Sequence, residues 1–180
     1  MSPSELPYRP CVGIVLLNPA GLVWIGRRCN SISEDGGNWQ MPQGGIDGDE
    51  APAIAARREL LEETGTDKAD IIAETRLWHN YELPPELLGV VLHGRYRGQR
   101  QKWFAMRFLG QDSDFNIHEP PLGNPPEFDA WRWADVDDVL SRIISFKRLV
   151  YEAVLEEFRP LTLGSEAPSQ APTSATSPLP

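Results

Sequence analysis

The pattern of apolar and polar positions along most of the chain predicts β-strands. Two apolar runs, residues 12–17 and 22–27, flank Asn-Pro-Ala-Gly at 18–21, a sequence typical of a β-hairpin turn. Other segments alternate between apolar and polar residues or are rich in aromatic and β-branched residues, and both features favour strands. The further strands expected on this basis are residues 77–83, 87–96, 102–109 and 128–133.

Two other segments have the spacing of amphipathic helices. One should close the folded chain, because apolar residues recur at every fourth position: Phe146, Val150, Val154 and Phe158. The other helix follows Asp49, which could cap its start, and has Pro52 in its first turn and Gly65 at its end. Strands interrupted by one helix and closed by another indicate an α+β fold, with mixed sheets packed between helices.

Composition separates a folded domain from two short terminal segments. Residues 160–180 are rich in Pro, Ser, Thr and Ala and contain no aromatic residue, so we expect them to be disordered. Residues 1–7 are similar. The folded domain should therefore span residues 8–159.

Charge and cysteine content limit the possible functions. The net charge of −9 argues against a protein that coats nucleic acid through bulk electrostatics. Cys11 and Cys29 lack metal-binding spacing and should be reduced thiols. Because the chain has neither an apolar leader segment nor a long apolar run, we expect a cytoplasmic protein with no membrane association. The sequence identifies no protein partner.

The richest chemistry lies on the internal helix. Glu59, Glu62 and Glu63 fall on one helical face, where like charges repel one another. A divalent cation such as Mg²⁺ or Mn²⁺ would turn this repulsion into a binding site, because it prefers oxygen ligands. Gly44 lies in the preceding glycine-rich loop, whose backbone can approach a metal or a phosphate closely. The alternative is an ordinary helix with a solvated acidic face.

Such a metal site suits hydrolysis of a phosphoric anhydride. Bound cations neutralise phosphate oxygens and lower the pKa of a bound water, and a carboxylate then accepts the proton of that water. Glu127, which precedes Phe128, could add a ligand or act as this base. Arg58 lies four residues before Glu62 and either orients the carboxylates or forms an ordinary helix salt bridge.

The segment 44–66 resembles the signature of the Nudix hydrolases, G-x5-E-x7-R-E-U-x-E-E-x-G, at every fixed position. Thr66 stands where the family usually has an aliphatic residue, which concerns helix-exit packing and not metal binding. The resemblance implies an α/β/α sandwich and an enzyme that depends on Mg²⁺ or Mn²⁺. A catalytically inactive module that binds nucleotides or RNA is the competing class, but such modules typically lose carboxylates that this chain retains.

Five further segments resemble bacterial RNA pyrophosphohydrolases and the related dinucleoside polyphosphate hydrolases: residues 8–10, 39–45, 101–104, 126–133 and 145–148. Positions that contact phosphates and nucleobases in that branch match five residues here: Arg9, Arg28, Gln43, Phe146 and Lys147. Phe146 offers a stacking face, while the basic side chains offer phosphate partners. Alternatively, Phe146 is simply part of the core.

The resemblance implies a substrate with a 5′ polyphosphate. The leading expectation is the 5′-triphosphate end of RNA, converted to a 5′-monophosphate in a step that starts mRNA decay. The alternative is asymmetric cleavage of diadenosine tetra- or pentaphosphate. An acidic loop between Arg28 and Trp39 is longer than expected for the RNA-acting members and favours this alternative.

Overall fold

A computed structural model describes residues 5–29 and 38–163 of the chain. These residues form eight strands, four helices and several short 3₁₀ turns. The strands are β1 (Tyr8–Leu17), β2 (Val23–Arg28), β3 (Trp39–Gln40), β4 (Gln43–Gly45), β5 (Ala69–Glu74), β6 (His79–Glu82), β7 (Gly98–Phe108) and β8 (Phe128–Ala134). The helices are α1 (Pro52–Thr64), α2 (Val136–Arg142), α3 (Arg148–Glu157) and α4 (Arg159–Thr162).

The sheet is mixed and is built around β1 and β7. These two strands pair in parallel from Tyr8 opposite Gly98 to Leu17 opposite Arg107, although about ninety residues separate them in sequence. β2 and β4 pair antiparallel with β1, β5 and β6 pair with β7, and β3 and β8 extend the sheet from β2. The hairpin predicted at residues 18–21 is confirmed, because Leu17 pairs with Val23 and the Asn18 side chain accepts bonds from the turn backbone.

Helices cover both faces of this sheet, which confirms the α/β/α sandwich. Val12, Ile14 and Leu16 point to the face covered by α1, whereas Val15 and Leu17 point to the face covered by α2 and α3. β1 is therefore buried on both faces, which explains its continuous run of apolar residues.

The prediction of a strand at residues 87–96 is wrong. This segment forms a loop between β6 and β7 that contains 3₁₀ turns at Pro85–Leu87 and Leu92–Gly94. Leu92 and His93 have positive φ angles of 52° and 56°, a left-handed conformation that a strand excludes. The sequence analysis also missed β5 and α2, both of which are short and carry charged residues.

The ends of α1 agree only partly with the prediction. Gly65 ends the helix in the left-handed conformation, with φ of 79°, as expected. Asp49 does not cap the start, because the N-cap position is Ala51 and no side chain caps the helix. The helix packs against the sheet through Ala55, Ala56 and Leu60, whereas Ile54 is 58% exposed.

At the C-terminus, α4 continues past the boundary expected at residue 159, and Leu161 packs partly buried against the core. The predicted disorder at residues 1–4 and 164–180, and the acidic loop at 30–37, lie outside the described residues. Cys11 is buried, Cys29 is exposed, and both are free thiols. Over residues 5–29 and 38–163, no helix is both long and apolar enough to cross a membrane.

Candidate active site

The acidic face of α1 is turned toward the protein. Glu63 is 8% exposed, and the side chains of Glu59 and Glu62 are 12% and 23% exposed. β4 packs against this face, and the backbone N–H of Gln43 donates a hydrogen bond of 3.0 Å to Glu63 Oε2. The alternative of a fully solvated acidic face therefore does not describe this helix.

This burial disturbs the titration of two carboxyl groups. Burial raises the pKa of Glu63 well above its ordinary value, and the nearby charges of Glu127 and Glu59 raise it further. Burial also raises the pKa of Glu59, although Arg58 opposes the shift. Buried carboxylates without enough positive charge are stabilised by a cation, so the donor set fits a divalent metal.

Gly44 fits the same site because it lies against Glu59. A Cβ atom at this position would overlap the Glu59 carboxylate, so the close approach of β4 to the acidic face requires glycine. The backbone of Gly44 is therefore within reach of whatever the carboxylates bind. Its predicted role as a metal ligand stays a prediction.

The carboxylates do not converge on one point in this structure. In the part of the chain that the structure describes, no group of three His, Cys, Asp or Glu side chains is arranged to hold a metal ion. Two of the three predicted ligands instead contact Arg58, whose Nη1 lies 2.9 Å from Glu59 Oε1 and 3.5 Å from Glu62 Oε2. Glu59, Glu62 and Glu63 share one face, and their role as metal ligands stays a prediction.

Arg58 connects α1 to the loop that precedes it. Its Nε and Nη2 donate to the two carboxylate oxygens of Glu50 at 3.0 and 2.8 Å, and Nη2 also donates to the carbonyl of Gly45 at 2.8 Å. A planar guanidinium suits this forked arrangement. Arg58 thus fixes the loop and contacts two carboxylates at once, which is more than an isolated helix salt bridge.

A cavity of about 270 Å³ opens beside the acidic face. It brings together four of the five predicted substrate-binding residues, although they come from distant parts of the sequence: Arg28, Gln43, Phe146 and Lys147. Tyr81, Leu83, Gln99 and Ile144 complete much of its wall. The cavity has the mixed apolar and cationic lining that a nucleotide requires.

Lys147 is buried in the wall of this cavity, with 5% of its surface exposed. Its Nζ donates to Gln40 Oε1 at 3.0 Å and lies 5.7 Å from the centre of the Tyr81 ring. Burial and the charge of Arg28 lower the pKa of Lys147 to about 7, while Glu63 and Glu127 act in the opposite direction. An anionic ligand would restore its positive charge.

Glu127 contacts Arg28, which lines the same cavity. It forms an ion pair of 2.6 Å with Arg28, and the backbone N–H of Cys29 donates to its carbonyl at 3.0 Å. The fold therefore brings the sequence-distant Glu127 close enough to raise the pKa of Glu63. Its role as base or ligand stays a prediction.

Phe146 combines the two alternatives left open for it. The ring packs against Tyr81, with centroids 5.5 Å apart and planes tilted by 45°, and it adjoins the core. It is also partly exposed and lines the cavity. A ring fixed in this way can present one edge or face to a nucleobase.

Arg9 is the predicted substrate-binding residue that does not line this cavity. Its guanidinium lies against Gly45, two residues beyond Gln43 in β4, and its charge lowers the pKa of Glu59. It lines a second depression together with His93 and Arg95. Arg9 is thus near the acidic helix but separate from Arg28 and Lys147.

The sequence analysis missed a row of buried polar side chains on β7. Gln101 donates to Gln99 at 2.9 Å and to Gln43 at 3.4 Å, and it accepts a bond from the indole of Trp103 at 3.1 Å. Gln99, Gln101 and Trp103 stand at every second position, so they share one face of the strand. Gln99 and Gln101 alternate with the charged Arg100 and Lys102, and this alternation was the signal that could have revealed the row.

With this geometry established, comparison with known proteins identifies the family. The model of the NUDIX domain matches residues 7–154, so the chain belongs to the Nudix family. A Brucella abortus protein named RNA pyrophosphohydrolase is 53% identical over 165 residues, covering 89% of this chain and 93% of that protein. A protein of the same name from Agrobacterium fabrum is 52% identical, covering 88% of this chain and 96% of that protein.

Solved structures support the fold. A MutT protein from Methanosarcina mazei has a TM-score of 0.60 at 22% identity and covers 85% of this chain and 96% of its own. An Ap4A hydrolase from C. elegans has a TM-score of 0.58 at 15% identity and covers 84% and 98%. At these identities the likeness concerns the fold alone. Nudix hydrolases generally need divalent metal cations, which agrees with the acidic face of α1.

Proposed function

We propose that this protein is an RNA pyrophosphohydrolase, which hydrolyses the 5′-triphosphate end of RNA to a 5′-monophosphate and thereby starts mRNA decay in the cytoplasm. The observation that carries the proposal is identity above 50% over nearly the whole chain to proteins named for this activity. The arrangement of the acidic helix beside a cavity with cationic and aromatic walls supports it.

The residues of the site divide into two groups by chemistry. Glu59, Glu62 and Glu63, with the backbone of Gly44, would hold Mg²⁺ or Mn²⁺. Such a cation neutralises phosphate oxygens and lowers the pKa of a bound water. Arg58 positions Glu59 and Glu62 through its contacts with both.

The second group would bind the substrate. Arg28 and Lys147 provide positive charge for the polyphosphate, and Phe146 and Tyr81 provide an aromatic surface for a base. Glu127 lies close enough to Glu63 to accept a proton from water at the reacting phosphorus. Its ion pair with Arg28 would orient it for this task.

The experiment that tests the proposal compares two substrates at the same Mg²⁺ and salt concentrations. One is an RNA with a 5′-triphosphate, and the other is diadenosine tetraphosphate. We expect a higher kcat/KM for the RNA, with pyrophosphate or two phosphates in succession released from the 5′ end. A preference of about a hundredfold or more for the dinucleotide would instead identify a dinucleoside polyphosphate hydrolase, and hydrolysis of neither would contradict both assignments.

A further inference from the structure

The loop between β6 and β7 forms a second depression next to the active site. It measures about 500 Å³. Its walls combine three basic side chains, Arg9, His93 and Arg95, with the apolar or aromatic side chains of Val90 and Tyr96. Cations beside apolar and aromatic surface are the combination that binds a nucleotide, whose phosphate is anionic and whose base is flat.

The two guanidinium groups form no ion pair with an acidic side chain in the part of the chain that the structure describes. Within residues 5–29 and 38–163, no carboxylate lies within ion-pair distance of Arg9 or Arg95. Asp47 is the acidic residue that lines the depression, and its carboxylate is oriented toward Arg58 at 3.7 Å. In a protein of net charge −9, such an uncompensated pair of arginines marks a local attraction for anions.

The backbone holds the loop in a demanding conformation. Leu92, His93 and Gly94 have consecutive positive φ angles of 52°, 56° and 67°. The left-handed conformation is unfavourable for a residue with a side chain, and such residues concentrate at ligand-binding loops. Here the conformation places Leu92 in the wall of both the catalytic cavity and the depression, and His93 in the depression alone.

The two cavities therefore adjoin at Leu92, which lines both of them. A ligand whose 5′ end occupies the catalytic cavity and extends past Leu92 reaches His93 and Arg95. Only a substrate that is longer than the group being hydrolysed needs this second surface. A dinucleoside polyphosphate ends after two nucleosides, whereas an RNA continues with a phosphodiester at every nucleotide.

We propose that His93, Arg95 and Tyr96, together with Arg9, form a binding site for a phosphodiester and base of the RNA chain downstream of its first two nucleotides. The proposal rests on the proposed function, since it assigns a longer RNA to the same active site. It predicts that this site makes kcat/KM depend on the length of the RNA and does not affect the chemical step at the triphosphate.

The test is the variant Arg95→Gln, assayed on triphosphorylated RNAs of two and of ten nucleotides. We expect kcat/KM on the ten-nucleotide RNA to fall by about five- to tenfold. The slope of log(kcat/KM) against the logarithm of the salt concentration should become less negative by roughly 0.7. The rate on the two-nucleotide substrate should stay within about twofold of the wild type. Arg107→Gln is the matched control, because Arg107 is exposed at the far end of β7 and should change neither rate.

A binding measurement separates failure of this site from failure of the proposed function. Fluorescence anisotropy with a labelled ten-nucleotide 5′-monophosphate RNA requires no hydrolysis, and Arg95→Gln should weaken binding by a similar factor. Equal losses on short and long RNA would overturn the proposal, because the depression would then hold the terminal polyphosphate. Unchanged rates and unchanged binding would also overturn it. A wild-type enzyme that binds this RNA through Arg95 but does not hydrolyse the triphosphate would refute only the proposed function.

Discussion

At the residue scale, the site is defined by two buried ionisable groups with opposite shifts. Burial raises the pKa of Glu63 and lowers that of Lys147, so without a bound cation or anion both groups are driven toward their neutral forms. Each would regain its charge when its ligand arrives, Glu63 with a metal and Lys147 with a phosphate. Burial of these two charged groups costs free energy, and binding of a metal and a phosphate would offset this cost.

Replacement of Glu62 or Glu63 by Gln tests the metal-binding assignment. We expect turnover to fall by roughly 100-fold or more, because a neutral amide is a poorer ligand for a hard cation. Without metal, Glu63→Gln should raise the free energy of unfolding at pH 7, because folding no longer has to bury or protonate a carboxylate there. Turnover assays and urea unfolding in EDTA measure both effects, with Glu152→Gln on the exposed face of α3 as the control.

The pH dependence of stability gives Glu63→Gln a further signature. The folded pKa of Glu63 exceeds the unfolded one, so the folded state keeps a proton that the unfolded state has lost. The metal-free wild type should therefore lose stability as pH rises above the ordinary glutamate range, and the variant should lack this slope. Full turnover in either glutamine variant would remove that residue from the mechanism.

For Lys147, we expect the pH dependence of the free energy of unfolding to have the opposite sign, and the variant Lys147→Met tests this. With the folded pKa near 7 and the ordinary value at 10.5, the folded state binds fewer protons than the unfolded state between these limits. The metal-free wild type should gain stability as pH rises from about 7 to 10.5, on the order of 2–4 kcal/mol, and the variant should not. Urea unfolding across this pH range in EDTA measures the difference. A wild-type profile as flat as that of the variant would contradict the burial of Lys147.

The same variant should bind the substrate less well. Loss of one charge-assisted phosphate contact, about 1.5–3 kcal/mol, should lower kcat/KM by roughly 10- to 150-fold on triphosphorylated RNA. Lys147→Arg separates charge from shape, because it keeps a cation but loses the compact ammonium that reaches Gln40.

At the element scale, Arg58 determines how α1 meets the loop before it. It joins Glu50 and the carbonyl of Gly45 to two carboxylates of the helix, and its side chain is only 25% exposed. Like charges on the acidic face repel one another, and the guanidinium offsets this repulsion before any metal arrives. The loop, Gly44 and the predicted ligands are thereby held as one unit.

Arg58→Gln should therefore act on the fold and the metal site together. We expect a loss of about 2–3 kcal/mol in the free energy of unfolding and weaker metal binding, because buried carboxylates lose their partner. Arg58→Lys should recover little, since an ammonium cannot reproduce the forked contact with Glu50. Arg57→Gln is the control on the same helix, because Arg57 donates one bond to the Ala69 carbonyl and contacts no carboxylate of the site. Calorimetric titration with Mn²⁺ and urea unfolding give both values, and a stable variant with normal Mn²⁺ affinity would contradict this role.

Local patterns account for the elements that the sequence predicted. The hairpin turn, the alternating strand β7 and the glycine that ends α1 each depend on a few neighbouring residues. The loop with Leu92 and His93 could not be foreseen, because these residues rarely adopt positive φ angles and the segment has the composition of a strand. Nor could the burial of Glu63, which depends on β4 packing against α1.

In the candidate site, too, features that depend on neighbouring residues were predicted, and features that depend on long-range packing were not. The carboxylates of α1 were predicted from spacing within one helix, whereas the cavity depends on long-range pairing. Gln43, Tyr81 and Phe146 meet because β4 and β6 both pair with the central strands and α3 packs on their face. Tyr81 was missed, because nothing in its local sequence distinguishes a residue that lines a cavity from one that is buried in the core.

At the scale of the whole molecule, the distribution of charge matters more than its sum. The protein carries a net charge of −9, yet Arg9, Arg28, Arg95 and Lys147 lie around one region of the surface next to the acidic helix. An acidic protein with a local basic region would attract the few nucleotides at the end of a polyanion and repel the parts of it that lie farther away. This arrangement agrees with the proposed recognition of the 5′ end of RNA.

The C-terminal segment that follows α4 should contribute neither to RNA recognition nor to the stability of the fold. Residues 164–180 contain no aromatic residue, so their removal should leave the free energy of unfolding within about 0.5 kcal/mol and kcat/KM on RNA nearly unchanged. Removal from residue 159 onward should instead lower stability by about 1–3 kcal/mol, because it deletes α4 and the packing of Leu161 against the core. Urea unfolding and RNA turnover of the two truncated proteins measure the contrast. If removal of residues 164–180 were enough to reduce turnover on long RNA, the tail would be part of the RNA-binding surface. Recognition would then extend beyond the two cavities.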